Sequence, residues 1–211
     1  MSALAAARKD SLTLPGGEPA LKETDVRQGD QSLGRARAGD PTAFEQLLAR
    51  HERMVLGTAL RLLGRMDAAQ DAAQETFLRL HKNLVRLDHT QDLGPWLYRV
   101  VVNVCRDVAR RFPRERHVAL GDLAEGALEA ARGSSDAILD ALAKADQRRL
   151  VQAALRTLPE KERAAIVLRD MEGLATSEVA LILGSTEGTV RSQVSAARLK
   201  IKKFVMRGGW R

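Results

Sequence analysis

The chain of 211 residues is expected to be all-α: two small helical domains joined by a flexible acidic linker, the second a helix-turn-helix domain. Three observations predict this. Apolar residues recur every third or fourth place over long stretches, with no alternation of the kind that marks a strand. Gly, Pro and short polar residues punctuate those stretches at helix-length intervals. Between residues 118 and 140 the chain turns acidic, with five acidic side chains and one basic, and carries Gly121, Gly126 and Gly133-Ser134, a composition suited to a linker. Aromatic residues are 3% of the chain against 45% hydrophobic, so the cores should be filled by Leu, Val and Ala.

The organisation read from these signals is a mobile tail over 1–32, a helical domain over 33–113, a linker over 114–136 and a second domain over 137–211. The tail mixes charges with Gly and Pro and has no sustained period. Asp40 can cap a first helix with Pro41 at its first position, and Phe44, Leu47, Leu48, Val55, Ala59 and Leu62 then recur up to Gly64. A second helix is expected from Asp67, whose carboxylate can accept an early amide while Gln70 reaches back. Its apolar stripe is Ala73, Phe77, Leu80 and Leu84. Pro95 opens a third helix that runs to about Phe112, where Pro113 stops it. In the second domain the period returns with Ile138, Leu142, Leu150, Ala154, Leu155 and Leu158, and a further helix runs from Pro159 to Gly173.

The segment ATSEVALILGSTEGTVRSQV carries the helix-turn-helix pattern. Small Ala180 permits a close crossing, Gly184 permits a turn with positive φ, and Val190, Val194, Ala197 and Ile201 form the buried face of the helix beyond it. From Thr186 to Arg211 there are seven Lys or Arg and one Glu. Thr189, Arg191, Ser192, Gln193 and Ala196 lie early on that helix, where such groups reach base edges, and Lys200, Lys202 and Lys203 farther along suit phosphates. The alternative is a solvated basic face.

Two surfaces of the first domain add to this. Opposite Phe77, the second helix presents Asp71, Gln74, Glu75, Leu78 and Lys82, a polar face around an exposed leucine that suits a protein partner; the alternative is an ordinary solvated face. The third helix has an apolar stripe of Leu97, Val101, Val104, Val108 and Phe112. On another face it carries Trp96, Arg99, Asn103, Arg106 and Arg110, with five arginines between positions 106 and 116. Asn between arginines suits phosphates and exposed base edges; the alternative is a face salt-bridged with Asp107 and Glu115. Trp96 is read as core.

Composition excludes several classes. The net charge of +7 favours a polyanionic partner. Cys105 is the single cysteine, so one chain builds no disulfide and no thiolate zinc site, and His51, His81, His89 and His117 form no ligand spacing. No phosphate-binding glycine loop or nucleophile–base pair stands out, so no cofactor and no catalysis are expected. No apolar run reaches the ~18 residues of a membrane span. The opening MSALAAARKDSLTLPGGEP lacks the pattern of a secretion signal, so the chain is expected in the cytoplasm. Two functions compete on the residues alone: a stand-alone helix-turn-helix regulator that binds operator DNA by itself, and a helical adaptor whose charge is incidental.

In order and spacing, GDPTAFEQLLARH, MDAAQDAAQETFLRLHKNL, GPWLYRVVVNVCRDVARR, LPEKERAAIVLRDMEGL and EGTVRSQVSAARLK resemble the extracytoplasmic-function (ECF) sigma factors of bacterial RNA polymerase, within the sigma-70 family. The resemblance covers residues 35–112 and 137–205. It implies a non-enzymatic initiation factor whose partners are core RNA polymerase, promoter DNA and an anti-sigma protein. Asp71, Gln74, Glu75 and Leu78 would dock on polymerase. His89, Thr90, Gln91 and Asp92, with Arg99, Asn103, Arg106 and Arg110, would open the −10 element, where a base is flipped into a pocket that Asn103 helps to read. Thr189, Arg191, Ser192, Gln193, Ser195, Ala196, Arg198, Lys200 and Lys203 would contact the −35 element. The chain departs from the family pattern at Ala175, where a capping Ser is common and Thr176 is expected to cap instead, at Ser185 in the turn, and at Gln193, Ser195 and Ala196. Its N-terminal tail is longer than most members need.

Overall fold

The computed structural model describes residues 32–87, 92–111 and 135–208, with side-chain placement from residue 146 onward in the last stretch. Among the described residues there is helix and turn and no strand. A short helix α1, residues 32–37, precedes the first helix that was expected, at Pro41, and buries Leu33 and Ala36. It is too short to announce itself by periodicity. A turn through Gly39 leads to α2, Pro41–Leu63. Asp40 caps it as the sequence predicts: Oδ1 accepts from the amides of Thr42 at 3.0 Å and Ala43 at 3.2 Å. Oδ2 accepts from the Arg35 guanidinium at 2.6 Å. Gly64 closes α2 in the left-handed region at φ 77°, its amide donating to the Leu60 carbonyl at 2.8 Å.

Helix α3, Met66–Asn83, starts one residue before the expected Asp67. Asp67 is not its cap. Arg65 is the N-cap, and the Asp67 carboxylate binds the Arg65 guanidinium instead. The buried alanines Ala69, Ala72 and Ala73 let α3 lie close to α2, and a single 3₁₀ turn, Leu84–Arg86, follows. Helix α4, Leu93–Arg111, begins two residues before Pro95 because Asp92 accepts from the Gly94 amide at 3.0 Å. Phe112, Pro113 and most of the acidic segment lie outside the described residues. Leu47, Val55, Ala59, Leu80, Leu97 and Val101 are buried at the centre of this three-helix arrangement.

The second domain opens with α5, Ser135–Arg156, two residues before the expected boundary. Helix α6, Glu160–Ile166, runs on through a π turn, Val167–Met171, in which the Glu172 amide donates to the Val167 carbonyl at 2.9 Å. Helices α7, Thr176–Leu183, and α8, Glu187–Met206, form the helix-turn-helix, with Gly184 at φ 61° in the turn. Thr176 does not cap α7, because it lies inside the helix. Its hydroxyl accepts from Arg169 at 3.3 Å, while the Ala175 amide donates to Glu178 at 2.6 Å. Thr186 caps α8 by accepting the Thr189 amide at 3.2 Å. Leu155, Leu168, Val179, Ile182, Val190, Val194 and Ala197 are buried.

Candidate nucleic-acid interface

Helix α4 is amphipathic enough to present one face while burying the other. Leu97, Val101 and Val104 are buried, Val108 is half-buried, and Arg99, Asn103 and Arg110 are exposed on the far side. Arg106 completes that row but is partly covered: its Nε donates to Glu160 Oε1 at 2.9 Å, and its Nη1 lies 3.5 Å from Asn103 Oδ1. Arg99 Nη2 donates to the Leu181 carbonyl at 2.8 Å. Trp96 is half-buried against the core, as expected for a packing residue. Of the loop before α4, Asp92 is described and caps the helix; His89, Thr90 and Gln91 lie outside the described residues. Asp107 lies 3.8 Å from Arg79, and Glu115 falls outside.

Helix α8 exposes Thr189, Arg191, Ser192 and Ser195, with Gln193 and Ala196 half-buried beside them. Arg191 pairs with Glu187 one turn back at 2.5 Å. Arg198 forms a two-pronged pair with Asp170, at 2.8 and 2.7 Å, and its hydrogen bond to that carboxylate raises the guanidinium's pKa. Lys200 reaches Glu162 at 2.6 Å. These contacts anchor α8 to the rest of its domain. Lys202 and Lys203 are exposed.

On α3, Asp71, Gln74 and Leu78 are exposed and Glu75 pairs with Arg79 at 2.8 Å. Leu78 is 47% exposed, so the leucine sits on the outer face rather than in the core. Cys105 is buried, which pushes its thiol up to about 12, so it is not a thiolate nucleophile at neutral pH. Among the described residues no group of His, Cys, Asp and Glu could hold a metal ion.

Sequence reasoning missed the residues that bind the two domains to each other. Glu172, at the end of the π turn, accepts from Thr58 Oγ1 at 2.9 Å, Arg61 Nη1 at 2.6 Å and the Tyr98 hydroxyl at 3.0 Å. Burial and the neighbouring Glu172 carboxylate raise the Tyr98 phenol well above its ordinary value. Gln152 and Arg163 reach the end of α2. Gln152 could have been noticed as a polar residue within an otherwise apolar stripe; Glu172 and Arg163 carry no local signal.

The family models match in two blocks: sigma-70 region 2 over residues 47–115 and sigma-70 region 4 over residues 148–201. The ECF RNA polymerase sigma factor SigM of Mycobacterium tuberculosis is 31% identical over 179 residues, covering 85% of each chain. The chain is an ECF sigma factor. Another relative, the ECF RNA polymerase sigma-E factor of Haemophilus influenzae, is 31% identical over 185 residues, covering 83% of this sigma factor and 95% of the relative. Among solved structures, CnrH in complex with the cytosolic domain of CnrY matches with a TM-score of 0.61 at 25% identity, covering 85% of this chain and 98% of that one. The sigma factor RpoE of Bartonella quintana, solved with the anti-sigma factor NepR, shares the fold at a TM-score of 0.57 and 23% identity, covering 77% of this sigma factor and 96% of that chain. The protein is therefore a non-enzymatic factor that directs RNA polymerase to promoters. No described helix is long and apolar enough to cross a membrane.

Proposed function

We propose that the two basic surfaces divide promoter recognition between them, and that the chain acts in the cytoplasm beside core polymerase and under the control of an anti-sigma protein. Helix α4 engages the −10 element. Arg99, Arg106 and Arg110 contact phosphates, while Asn103, with both a donor and an acceptor, reads a base turned out of the stack together with the loop at His89, Thr90, Gln91 and Asp92. Unstacking costs a few kcal/mol, which contacts to the extruded base must offset. Helix α8 enters the major groove at the −35 element. Thr189, Arg191, Ser192, Gln193, Ser195 and Ala196 face base edges, and Arg198, Lys200 and Lys203 lie along the backbone.

The observation that carries this reading is the row of Arg99, Asn103 and Arg110 on the exposed side of α4, inside the segment that matches region 2. Docking on polymerase is assigned to Asp71, Gln74, Glu75 and Leu78. The CnrH and RpoE structures, both complexes with a second protein, support an anti-sigma partner here. The test is size-exclusion co-elution of the purified chain with core RNA polymerase, followed by transcription from a random promoter library. Co-elution with initiation at a shared sequence pattern is expected. Tight binding to one DNA site without polymerase, and no co-elution, would replace the reading with that of a stand-alone regulator.

A further inference from the structure

From Thr186 to Arg211 the chain carries seven Lys or Arg and a single acidic side chain, Glu187. That carboxylate stands in the first turn of α8, the helix assigned above to the major groove. Arg191 Nη2, one turn on, donates to Glu187 Oε2 at 2.5 Å. Two other cations of α8 are paired differently. Arg198 is held by Asp170 and Lys200 by Glu162, carboxylates of neighbouring elements whose side chains are 13% and 17% exposed. Those pairs fasten the helix to its domain. Glu187 and Arg191 share one helix, with side chains 46% and 66% exposed, so their pair adds little to the fold. Gly188 beside them is exposed. Outside its chain neighbours and its own helix backbone, a Cβ there would meet nothing closer than Thr186 Oγ1 at 3.9 Å. A base edge has room to approach this first turn.

A carboxylate only accepts hydrogen bonds. On a face that meets phosphates it adds repulsion unless it finds a donor. The major groove displays two amino donors, N4 of cytosine and N6 of adenine. Adenine sets the N7 acceptor beside its amino group, where it repels the second carboxylate oxygen; cytosine does not. Guanine shows two acceptors, N7 and O6, which suit the fork of Arg191. That guanidinium has five N–H groups, and its bond to Glu187 is made from Nη2. Residues one turn apart are about 6 Å apart along the axis, under two base-pair steps of ~3.4 Å. The two side chains therefore address neighbouring base pairs.

We propose that Glu187 is a specificity-determining residue of the −35 contact, its carboxylate accepting from the N4 amino group of a cytosine one or two base pairs from the guanine that Arg191 reads. The inference rests on the placement of α8 in the −35 major groove. The ion pair sets both side chains before DNA arrives, so the two bases are read as a unit.

The test uses holoenzyme assembled from core RNA polymerase and the full chain, with double-stranded promoter DNA randomised across the −35 element. The transcribed sequences are compared for wild type, Glu187→Gln and Arg191→Ala. Wild type should select a cytosine, on either strand, at one position beside a selected guanine. Glu187→Gln keeps the side chain's length and adds a donor. It should lose about tenfold of the preference for cytosine at that position and turn towards adenine, whose N6 and N7 suit an amide. The guanine and the other selected bases should stay. An unchanged pattern for Glu187→Gln would overturn the assignment. So would loss of the guanine preference with cytosine kept, or equal weakening at every position, since those mark a support for Arg191 or for the helix. Arg191→Ala separates this from the reading beneath it. If Arg191→Ala changes the selected bases and Glu187→Gln does not, Glu187 alone is misassigned; if neither changes them, α8 does not read the −35 element.

Discussion

Arg163 Nη1 donates to the carbonyl oxygen of Leu62 at 2.9 Å, so an arginine of the region 4 domain finishes the C-terminus of a region 2 helix. The same guanidinium donates to the carbonyls of Leu155 at 2.8 Å, Leu158 at 2.9 Å and Arg156 at 3.3 Å, closing the turn between α5 and α6. A planar fork of donors suits this, and a point charge does not. Arg163→Ala should therefore destabilise the chain by about 3 kcal/mol, leaving several carbonyls unmet, and lower Tm by roughly 10 °C. Arg163→Lys should recover less than half of that loss. Thermal melts followed by circular dichroism check both.

Gly64 and Gln152 should be coupled. An alanine at Gly64 carries about 1–2 kcal/mol of left-handed strain and also presses on the Gln152 amide. In a double-mutant cycle, Gly64→Ala with Gln152→Ala should be less destabilising than the sum of the two single changes by about 0.5 kcal/mol or more. Denaturant unfolding of the four chains gives the number. Strict additivity would mean that the contact between the two positions has no energetic consequence.

Acid should weaken the first domain in a predictable way. The Arg35 guanidinium, and then the Ala43 amide, hold the Asp40 carboxyl below its ordinary 3.8; Arg65, and then the Ala68 amide, do the same for Asp67. Both carboxyls keep their charge to lower pH in the folded chain than in the unfolded one. As pH falls below about 4 the unfolded chain takes up more protons, so this stabilisation is complete above that pH and lost below it. The double variant Asp40→Asn with Asp67→Asn should show a shallower fall of Tm with acid than wild type. Because Asp67 is exposed and Asp40 only half-buried, added salt should narrow the difference.

The α3 face gives a third kind of prediction. Asp71 and Leu78 are exposed, so Asp71→Arg with Leu78→Ala should leave Tm within about 1 °C, since surface changes are small, while lowering the affinity for core polymerase about tenfold or more. Fluorescence titration of labelled polymerase measures the affinity. A folded double variant with normal affinity would move the docking surface elsewhere.

Much of this architecture was legible in the residues. Asp40-Pro41 and Gly64 mark the ends of α2, Gly184 marks the turn of the helix-turn-helix, and the stripe Leu97, Val101, Val104 sets which face of α4 is left outside. These are local signals, spaced by the period of a helix. The failures have the opposite character. Asp67 was expected to cap α3, but Arg65 two residues away offered its carboxylate a charged partner. Thr176 was expected to cap α7, but lies within it while Glu178 meets the exposed amide. The π turn over Val167–Met171 inserts a hydrogen-bond spacing that leaves no mark in composition. The contacts of Glu172 with Thr58, Arg61 and Tyr98 join residues 74 to 114 positions apart. No period reaches across such a distance, so the surface that joins the two domains appears only in three dimensions.

The most direct test of the promoter account is permanganate footprinting of polymerase holoenzyme assembled with wild-type chain and with Asn103→Ala, on a promoter selected from the library. Asn103 is exposed on α4, so the substitution spares the fold. The account predicts that the variant binds polymerase and forms the closed complex like wild type, yet melts the −10 element at least tenfold less. Equal melting by the two holoenzymes would contradict it.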